Sequence, residues 1–339
     1  MQIMTAPMAG ITDYSFRKIL YEFSPDIIFT EMVDVNALKY RNQRTQDEIL
    51  RKAGNEAVQI FGSKNDDFLG AVRILLEREF DHVDINLGCP VKKIVRAGKG
   101  SALLLESEFV KKLLLDLKKE FGSSIKLSIK IRTGYKNFSD PEYYVKLAYE
   151  YGLFQICIHG RTQEQLYSGQ ADWNIVKEMK KKYENVRIIG NGDLTDLKAI
   201  KEKAGTVKPD GIMLARGLLG NPWLIKEAKN YFDTGEFREF PVSREDIKNT
   251  LIKHINYCIE DKGEMRANLD MRKHIFWYLK EFENIKEIKR GKGTTRAAAG
   301  NEFVIDQKVQ RSFTEKTWDE TITKDSWMVF KIMAELVDG

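Results

Sequence analysis

Short apolar runs alternate with longer stretches of helical period over about the first 230 residues of the chain. Each run ends in Gly or polar residues, which is typical of strands that lead into turns. The runs predict eight strands, at residues 2–8, 27–32, 57–61, 82–86, 126–131, 155–159, 187–190 and 211–215. Helices are predicted between them, including residues 66–80, 107–121, 141–151, 173–183, 194–204 and 222–232.

The regular alternation of strand and helix predicts an α/β fold. Eight parallel strands with crossover helices favour a closed (β/α)8 TIM barrel over an open doubly wound sheet. The strand signal stops by residue 241, and residues 243–282 have the pattern of two or three amphipathic helices. We therefore expect a barrel at residues 1–238 and a smaller helical domain at residues 241–339. Residues 290–339 have little apolar periodicity, apart from a predicted helix at 327–337.

Composition excludes several classes of protein. The chain has 339 residues, 42% of them hydrophobic, and no internal repeat, which excludes disordered and solenoid proteins. Cys89, Cys157 and Cys258 are too far apart for a disulfide framework or a zinc cluster, and no metal is expected. No apolar run approaches the roughly 18 residues of a membrane-spanning helix, and the first residues lack a secretion signal. We expect a cytoplasmic protein that does not contact membranes.

Positive charge is concentrated in one segment. The whole chain has a net charge of only +5, whereas residues 266–296 contain nine Lys or Arg and four acidic residues. Such a segment can bind a polyanion, or it can be the solvated face of ordinary helices. Charge alone does not separate the two interpretations.

Two Gly-containing segments follow the seventh and eighth predicted strands. The first is Asn-Gly-Asp at residues 191–193, and the second begins with Ala-Arg-Gly at residues 215–217. Barrels commonly bind phosphate at this position, through loop amides and a helix N-terminus. Together the segments predict a phosphorylated ligand, although each alone is also typical of a turn.

Four different predicted strands contribute a polar side chain to the mouth of the barrel: Gln59, Asn86, Lys130 and His159. This set of one cation, two amides and an imidazole suits a polar heteroaromatic ring such as isoalloxazine. A Lys near N1 favours the anionic reduced flavin, which donates hydride from N5. Lys130 lies within the run LSIKIR, which predicts that its side chain points into the barrel. His159 has the alternative role of a structural hydrogen-bonding residue.

Cys89 follows the fourth predicted strand, after Gly88, in a loop that we expect to expose its thiol. An unperturbed thiol has a pKa of about 8.5 and is mostly protonated at neutral pH, so it can donate a proton to a carbon with carbanion character. It can equally act as a nucleophile. Cys157 and Cys258 are interpreted as packing residues. A hydride donor and a thiol acid together suit the reduction of a C=C bond conjugated to a carbonyl.

Nine sequence blocks, in order, resemble the tRNA-dihydrouridine synthases, which are FMN enzymes that reduce the C5–C6 double bond of specific uridines. The blocks are APMAGITDYSFR (6–17), TEMV (30–33), VQIFG (58–62), DINLGCPVKK (84–93), GKGSALL (98–104), KIRTG (130–134), HGRTQEQLYSGQADW (159–173), GNGD (190–193) and ARGLLGNPW (215–223). The segment MRKHIFWYLK (271–280) also resembles the helical domain of that family, whereas residues 291–308 do not follow its pattern.

The resemblance implies a role for each matching residue. Cys89 would protonate uracil C5 while reduced FMN gives hydride to C6, and NADPH (or NADH) would reduce the flavin between turnovers. Asn86, Lys130 and Arg132 would hold the target uracil or the flavin. The residues implied for FMN binding are Pro7, Met8, Gln59, Lys130, His159, Asn191, Gly192, Asp193, Ala215, Arg216 and Gly217.

A uracil within folded RNA must be extruded to reach a barrel mouth, which requires a basic surface beside that mouth. The candidates for phosphate contacts are Lys92, Lys93, Arg96 and Lys99, after Cys89, and Arg272, Lys273 and Lys280 in the basic segment. With the family resemblance, we interpret the basic segment as an RNA-binding surface. We expect tRNA as the partner of a monomeric protein.

Three alternatives stay open. The first is an FMN-dependent reductase of free pyrimidines, of the dihydroorotate or dihydropyrimidine dehydrogenase type, against which Lys92, Lys93 and the basic domain speak. The second is ribosomal RNA as the substrate. The third is an RNA-binding protein without catalysis, against which Cys89 and Lys130 speak.

Overall fold

The computed structural model describes residues 1–136, 140–280, 294–296 and 303–305. The chain forms two compact units. One contains Met1–Leu218 and Pro222–Pro241, and the other contains Leu219–Asn221 and the described residues from Val242 onward. The predicted helix at 327–337 lies outside the described residues, as does most of the segment 290–339.

The first unit is a closed barrel of parallel strands. Its strands are β1 (Gln2–Thr5), β2 (Ile27–Phe29), β3 (Val33–Asp34), β4 (Glu56–Phe61), β5 (His82–Leu87), β6 (Lys126–Gly134), β7 (Gln155–Thr162), β8 (Ile188–Asn191) and β9 (Gly211–Leu214). The hydrogen-bonded order β1-β2-β4-β5-β6-β7-β8-β9 returns to β1, where Ile3 pairs with Ile212. The predicted TIM barrel is confirmed. The second predicted strand is followed by the separate short strand β3, which pairs with β4 at Ile60.

The barrel strands are buried on both faces, which explains their nearly continuous apolar runs. All positions of β4 and β5 are buried. Met4, Phe29, Cys157, Ile189 and Met213 pack together in one core cluster. The predicted packing role of Cys157 is thereby confirmed, and Cys258 is buried as well.

Helices follow the strands around the barrel. They are α1 (Tyr14–Tyr21), α2 (Val35–Lys39), α3 (Phe68–Glu77), α4 (Lys92–Arg96), α5 (Ser107–Phe121), α6 (Pro141–Glu150), α7 (Trp173–Lys182), α8 (Leu197–Ile200) and α9 (Leu224–Thr234). Short 3-10 helices lie at Gly100–Leu105, Gly122–Ser124 and Arg216–Leu218, and π-helical turns at Thr45–Ile49 and Lys201–Gly205.

The described part of the second unit contains the helices α10 (Arg244–Lys262) and α11 (Glu264–Tyr278). Ser243 and Asp246 form a capping box at the start of α10, in which each side chain accepts the backbone N–H of the other residue. Leu251, Ile255 and Cys258 are buried on α10, as are Ala267, Met271 and Ile275 on α11. The prediction of helices in residues 243–282 is confirmed as far as residue 280.

A short antiparallel pair follows, β10 (Thr294–Arg296) with β11 (Phe303–Ile305). The expectation that strands end by residue 241 was wrong, because strands of three residues are too short to produce a recognisable alternation. None of the helices in the described part of the chain has both the length and the hydrophobicity needed to cross a membrane.

Candidate active site at the barrel mouth

The carboxyl ends of the barrel strands bring most of the predicted site residues to one mouth. Side chains alternate between the faces of a strand, so Lys130 and Arg132 share one face of β6. The register places Asn86 of β5 beside Lys130, and Asn191 of β8 beside His159 of β7. Asn86, Lys130 and His159, three of the four predicted mouth residues, thus lie with Asn191 at the same end of four neighbouring strands.

The loop after β5 is fixed by hydrogen bonds on both sides of the peptide of Cys89. The Oδ1 atom of Asn86 accepts the backbone N–H groups of Gly88 at 3.0 Å and of Cys89 at 2.8 Å. The Cys89 carbonyl accepts from the backbone N–H of Ser101 at 3.1 Å and from its hydroxyl at 2.9 Å. A Cβ at Gly100 would lie 2.9 Å from the Cβ of Cys89, so the block GKGSALL packs directly against this loop.

The thiol of Cys89 is buried, with 8% of the residue exposed. The expectation that the loop exposes it was wrong, because the segment around Gly100 covers it. Burial raises the pKa of the Cys89 thiol above its usual value, while the Val91 N–H and the charges of Arg132 and Lys130 act in the opposite direction. The thiol therefore stays protonated at neutral pH, as a proton donor requires.

Arg132 ties the Cys89 loop to the loop after β7. Its Nε donates to the carbonyl of Gly88 at 2.9 Å, and its Nη1 donates to the carbonyls of Thr162 and Leu166, both at 2.8 Å. The residue is 2% exposed, and burial lowers the pKa of Arg132 to about 10, so it is charged at neutral pH. Its role in holding a uracil or a flavin stays a prediction.

Lys130 points into the mouth, as the run LSIKIR predicts. Its Nζ donates to the Oδ1 of Asn191 at 3.1 Å, and the Nδ2 of Asn191 donates to the carbonyl of Met213 at 2.6 Å. Burial lowers the pKa of Lys130. Both ends of the Asn191 amide are engaged, so this side chain orients Lys130.

His159 is a neutral imidazole in this site. Burial, together with the positive charges of Lys130 and Arg132, lowers the pKa of His159 to about 2. Its ring lies against Gly192, whose φ of +117° disfavours other residues. A Cβ at position 192 would lie 2.8 Å from the Cδ2 of His159 and 2.7 Å from the Cβ of Ala171. Gly192 therefore has both a conformational and a steric reason to be glycine.

Arg161 is a site residue that the sequence analysis missed. It is 2% exposed, and its Nη2 donates to the Oδ2 of Asp193 and to the carbonyl of Gly169, both at 2.7 Å. Asp193 also lies 3.7 Å from the Nη2 of Arg216, whose guanidinium carbon is 4.6 Å from the ring centroid of Tyr167. Arg161 is the second residue after His159 on β7, so strand alternation was the signal that could have found it.

The remaining predicted cofactor residues are distributed around the mouth. Gly217 lies in the 3-10 helix after β9, where a Cβ would be 2.3 Å from the carbonyl oxygen of Leu194. Met8 and Ala215 are partly buried and pack against the core cluster, and Pro7 is partly buried beside Met8. Gln59 instead lies below the mouth, beside Asp84 in the sheet, where it is fully buried and donates to Asp84 at 2.7 Å, so its role in cofactor binding stays a prediction.

The predicted RNA contacts differ in exposure. Lys92, Lys93 and Arg96 are exposed on α4, Arg272 and Lys280 are exposed in the second unit, and Lys273 is half-buried there. Lys99 is paired within the chain, because its Nζ lies 2.7 Å from Asp34 and 3.4 Å from Asp66, with 12% of the side chain exposed, and its contact with RNA stays a prediction. Two carboxylates already neutralise its charge. Lys99 anchors the segment that covers Cys89.

Comparisons with known proteins agree with this arrangement. A family model described as dihydrouridine synthase (Dus) matches residues 4–314. The chain is 32% identical over 292 residues to tRNA-dihydrouridine synthase B of Escherichia coli (strain K12), covering 85% of this chain and 90% of that protein. It is 32% identical over 296 residues, with the same coverage, to the protein of that name from Klebsiella pneumoniae.

A solved structure of 2-naphthoyl-CoA reductase in complex with 2-naphthoyl-CoA has a similar fold. Its TM-score is 0.52 at 10% identity, over 70% of this chain and 50% of that chain. This similarity concerns the fold alone. The family model and the relatives, together with the closed barrel, establish that the chain belongs to the dihydrouridine synthase family.

Proposed function

We propose that this protein reduces the C5–C6 double bond of uridines in tRNA to 5,6-dihydrouridine, with FMN as hydride donor, Cys89 as proton donor and NADPH (or NADH) as reductant. Membership of the dihydrouridine synthase family supports the reaction. The names of the relatives from Escherichia coli and Klebsiella pneumoniae support tRNA as the substrate.

The observation that carries the proposal is the buried thiol of Cys89, in a loop at the barrel mouth that Asn86 and Arg132 hold by hydrogen bonds. Addition of hydride to C6 of uracil places negative charge on C5 and the adjacent carbonyl. The Sγ–H bond of Cys89 breaks as its proton moves to C5, which completes the saturated C5–C6 bond. The charges of Lys130 and Arg132 stabilise the thiolate that is left, until a proton from solvent restores the thiol.

The donors at the mouth fit an FMN. Lys130 donates its hydrogen bond to the neutral amide of Asn191, and among the described residues no carboxylate lies within ion-pair distance of it, although Asp84 acts on it at longer range. A partly buried cation in this state favours an anionic ligand. Bound FMN, once reduced, would supply the hydride. Lys130 would hold the ring, and Arg216 with the backbone N–H groups near Gly192 and Gly217 would hold the phosphate.

The exposed basic residues fit a polyanionic substrate. Lys92, Lys93 and Arg96 lie on α4, which follows the Cys89 loop directly. RNA phosphates beside an extruded uridine would contact such a surface. Contacts by Arg272, Lys273 and Lys280, a cytoplasmic location and a monomeric state stay predictions.

A panel of substrates tests the proposal. The purified protein is incubated without oxygen with FMN, NADPH and one substrate, either unmodified tRNA, ribosomal RNA, uracil or orotate. Mass spectrometry then measures the gain of two hydrogens. We expect dihydrouridine in tRNA alone. Reduction of uracil or orotate would establish a reductase of free pyrimidines, and product in ribosomal RNA alone would contradict tRNA as the substrate.

A further inference from the structure

The interior of the barrel below the mouth contains a carboxylate with no part in the proposed reaction. His82, Asp84 and Asn86 occupy alternate positions of β5 and therefore share one face of the strand. The sheet register places Gln59 of β4 opposite Asp84 on one side, and Ser128 of β6 opposite it on the other. All five residues are buried, and Asp84 is 1% exposed.

Asp84 accepts a hydrogen bond at each carboxylate oxygen. The hydroxyl of Ser128 donates to its Oδ1 at 2.6 Å, and the Nε2 of Gln59 donates to its Oδ2 at 2.7 Å. Burial raises the pKa of Asp84 to about 6, so the group is ionised at neutral pH and can only accept. Because the hydroxyl proton of Ser128 is used, the Nε2 of His82, 3.1 Å away, carries the proton of their hydrogen bond.

The acceptor at Asp84 fixes the direction of two amide side chains in turn. With its Nε2 facing Asp84, Gln59 turns its Oε1 toward the Nδ2 of Asn86, 2.6 Å away. Asn86 must then turn its Oδ1 toward the loop, where it accepts the N–H groups of Gly88 and Cys89. If Gln59 turned over, Asn86 would have to turn over as well. An N–H of Asn86 would then face two N–H groups of the loop.

We propose that Asp84 is a positioning residue for the proton donor: its carboxylate fixes the orientation of Gln59 and Asn86, and through them the backbone that holds Cys89. This inference rests on the proposed function, because it assigns Asp84 to the same reaction. Asp84 makes no hydrogen bond to Cys89 and reaches the Cys89 loop through the two amides, while its charge also acts on Lys130 and Cys157 at longer range. Removal of the acceptor loosens the loop and exposes the thiol.

Alkylation of Cys89 tests this role in the absence of flavin and RNA, so a failure here is distinguishable from a failure of the proposed function. Iodoacetamide is added to the folded wild type and to Asp84→Leu at alkaline pH, and mass spectrometry of peptides follows Cys89 and Cys157 separately. We expect Asp84→Leu to speed alkylation of Cys89 about tenfold, as loss of a buried acceptor implies, with Cys157 unchanged. Cys157 is the control for a general loosening of the barrel, because it is buried there. The charge of Asp84 also raises the pKa of Cys157, so Asp84→Asn, which removes the same charge, is compared beside Asp84→Leu.

The conservative variant Asp84→Asn distinguishes positioning from general packing. Its carbonyl can still accept from Gln59 when its amide faces Ser128, so we expect alkylation of Cys89 within about threefold of the wild type. In the double variant Asp84→Asn with Ser128→Ala, no hydroxyl orients the amide of the new Asn side chain. We expect its acceleration of Cys89 alkylation to be about threefold larger than the product of the accelerations in the two single variants. This combination also serves as the test if Asp84→Leu does not fold.

Three alkylation results would overturn the inference. The first is wild-type alkylation of Cys89 in folded Asp84→Leu. The second is an equal acceleration at Cys157, which would show that the whole barrel has loosened. The third is an acceleration of Cys89 alkylation in the double variant that equals the product of the accelerations in Asp84→Asn and Ser128→Ala. In tRNA reduction, Asp84→Leu should lower kcat and leave the KM for tRNA within about twofold, whereas a change in KM alone would contradict a role at Cys89.

Discussion

The two sides of the barrel mouth are held together by different chemistry. On the side of β4 and β5, amides and a hydroxyl from Gln59, Asn86 and Ser101 fix the Cys89 loop. On the side of β7 and β8, Arg161 and Asp193 form an ion pair at 2.7 Å. On the Cys89 side, neutral amides and a hydroxyl contact the loop and the charged Asp84 lies behind Gln59, whereas on the other side an ion pair joins the loops directly.

This difference corresponds to two tasks. A proton donor must keep its proton, and burial achieves this for Cys89 against the opposing charges of Arg132 and Lys130. An anionic cofactor needs cations, and the mouth supplies Lys130 and Arg216. Arg132 connects the two sides, because it bonds to the carbonyls of Gly88 and Thr162. Variants on each side should therefore have separable effects.

The largest effect on folding is expected from Arg161→Ala. The substitution removes the buried partner of Asp193 and should lower the free energy of unfolding by about 3 kcal/mol. Urea unfolding measures this change. Arg187→Ala is the matched control, since Arg187 is exposed. Equal losses in the two variants would contradict the structural role of the ion pair.

Lys130→Met should act on the cofactor instead. Loss of the ammonium group is expected to weaken FMN binding about 100-fold, because a charge-assisted hydrogen bond in a partly buried site is lost. Titration of the apoprotein by flavin fluorescence measures the Kd. Lys126→Met, at the exposed start of the same strand, should leave the Kd unchanged. An unchanged Kd in Lys130→Met would mean that this cation does not hold the flavin.

Variants at two sets of lysines distinguish anchoring of the loop from binding of RNA: Lys99 in one set, Lys92 and Lys93 in the other. The double variant Lys92→Ala with Lys93→Ala should reduce the slope of log Kd for tRNA against log salt by about 1 to 2. Lys99→Ala should leave that slope unchanged and speed alkylation of Cys89 about threefold, because its ion pair with Asp34 anchors the covering segment. A smaller salt slope in Lys99→Ala, with alkylation of Cys89 unchanged, would instead support Lys99 as an RNA contact.

The smallest expected effect is a displaced pH limit. Burial raises the pKa of Cys89, so tRNA reduction should stay constant past the ordinary thiol value of about 8.5 and fall only as the thiol ionises. Alkylation of Cys89 should rise over the same pH range in which reduction falls. Between about pH 6 and pH 10, single-turnover kinetics measure the rate of tRNA reduction, and mass spectrometry of peptides measures the rate of Cys89 alkylation. A fall in reduction between pH 7 and 8 would show that Cys89 is not the limiting acid.

The sequence predicted the barrel because each barrel strand is a recognisable apolar run next to a turn. Runs such as 82–86 and 126–131 carry this signal locally. β3, at Val33–Asp34, has two residues and shows no period, so only pairing with β4 defines it. The direction of Lys130 was predictable for the same local reason, since its neighbours in the strand are apolar.

Burial of Cys89 and the ion pair of Lys99 were not predictable. Both depend on contacts between distant parts of the chain: Ser101 lies 12 residues from Cys89, and Asp34 lies 65 residues from Lys99. Asp84 is an intermediate case. Its alternation with Asn86 in β5 places it on the polar inner face, but its partners Gln59 and Ser128 follow only from the sheet register.

The central claim is that Cys89 supplies the proton in the reduction of uridine in tRNA. The most direct test is the rate of dihydrouridine formation in unmodified tRNA by flavin-loaded Cys89→Ala, with Cys258→Ala as the control. We predict a loss of about a thousandfold in Cys89→Ala, with flavin content unchanged, and no loss in the control. A rate for Cys89→Ala within about tenfold of the wild type, with flavin bound, would contradict the assignment of Cys89 as the proton donor.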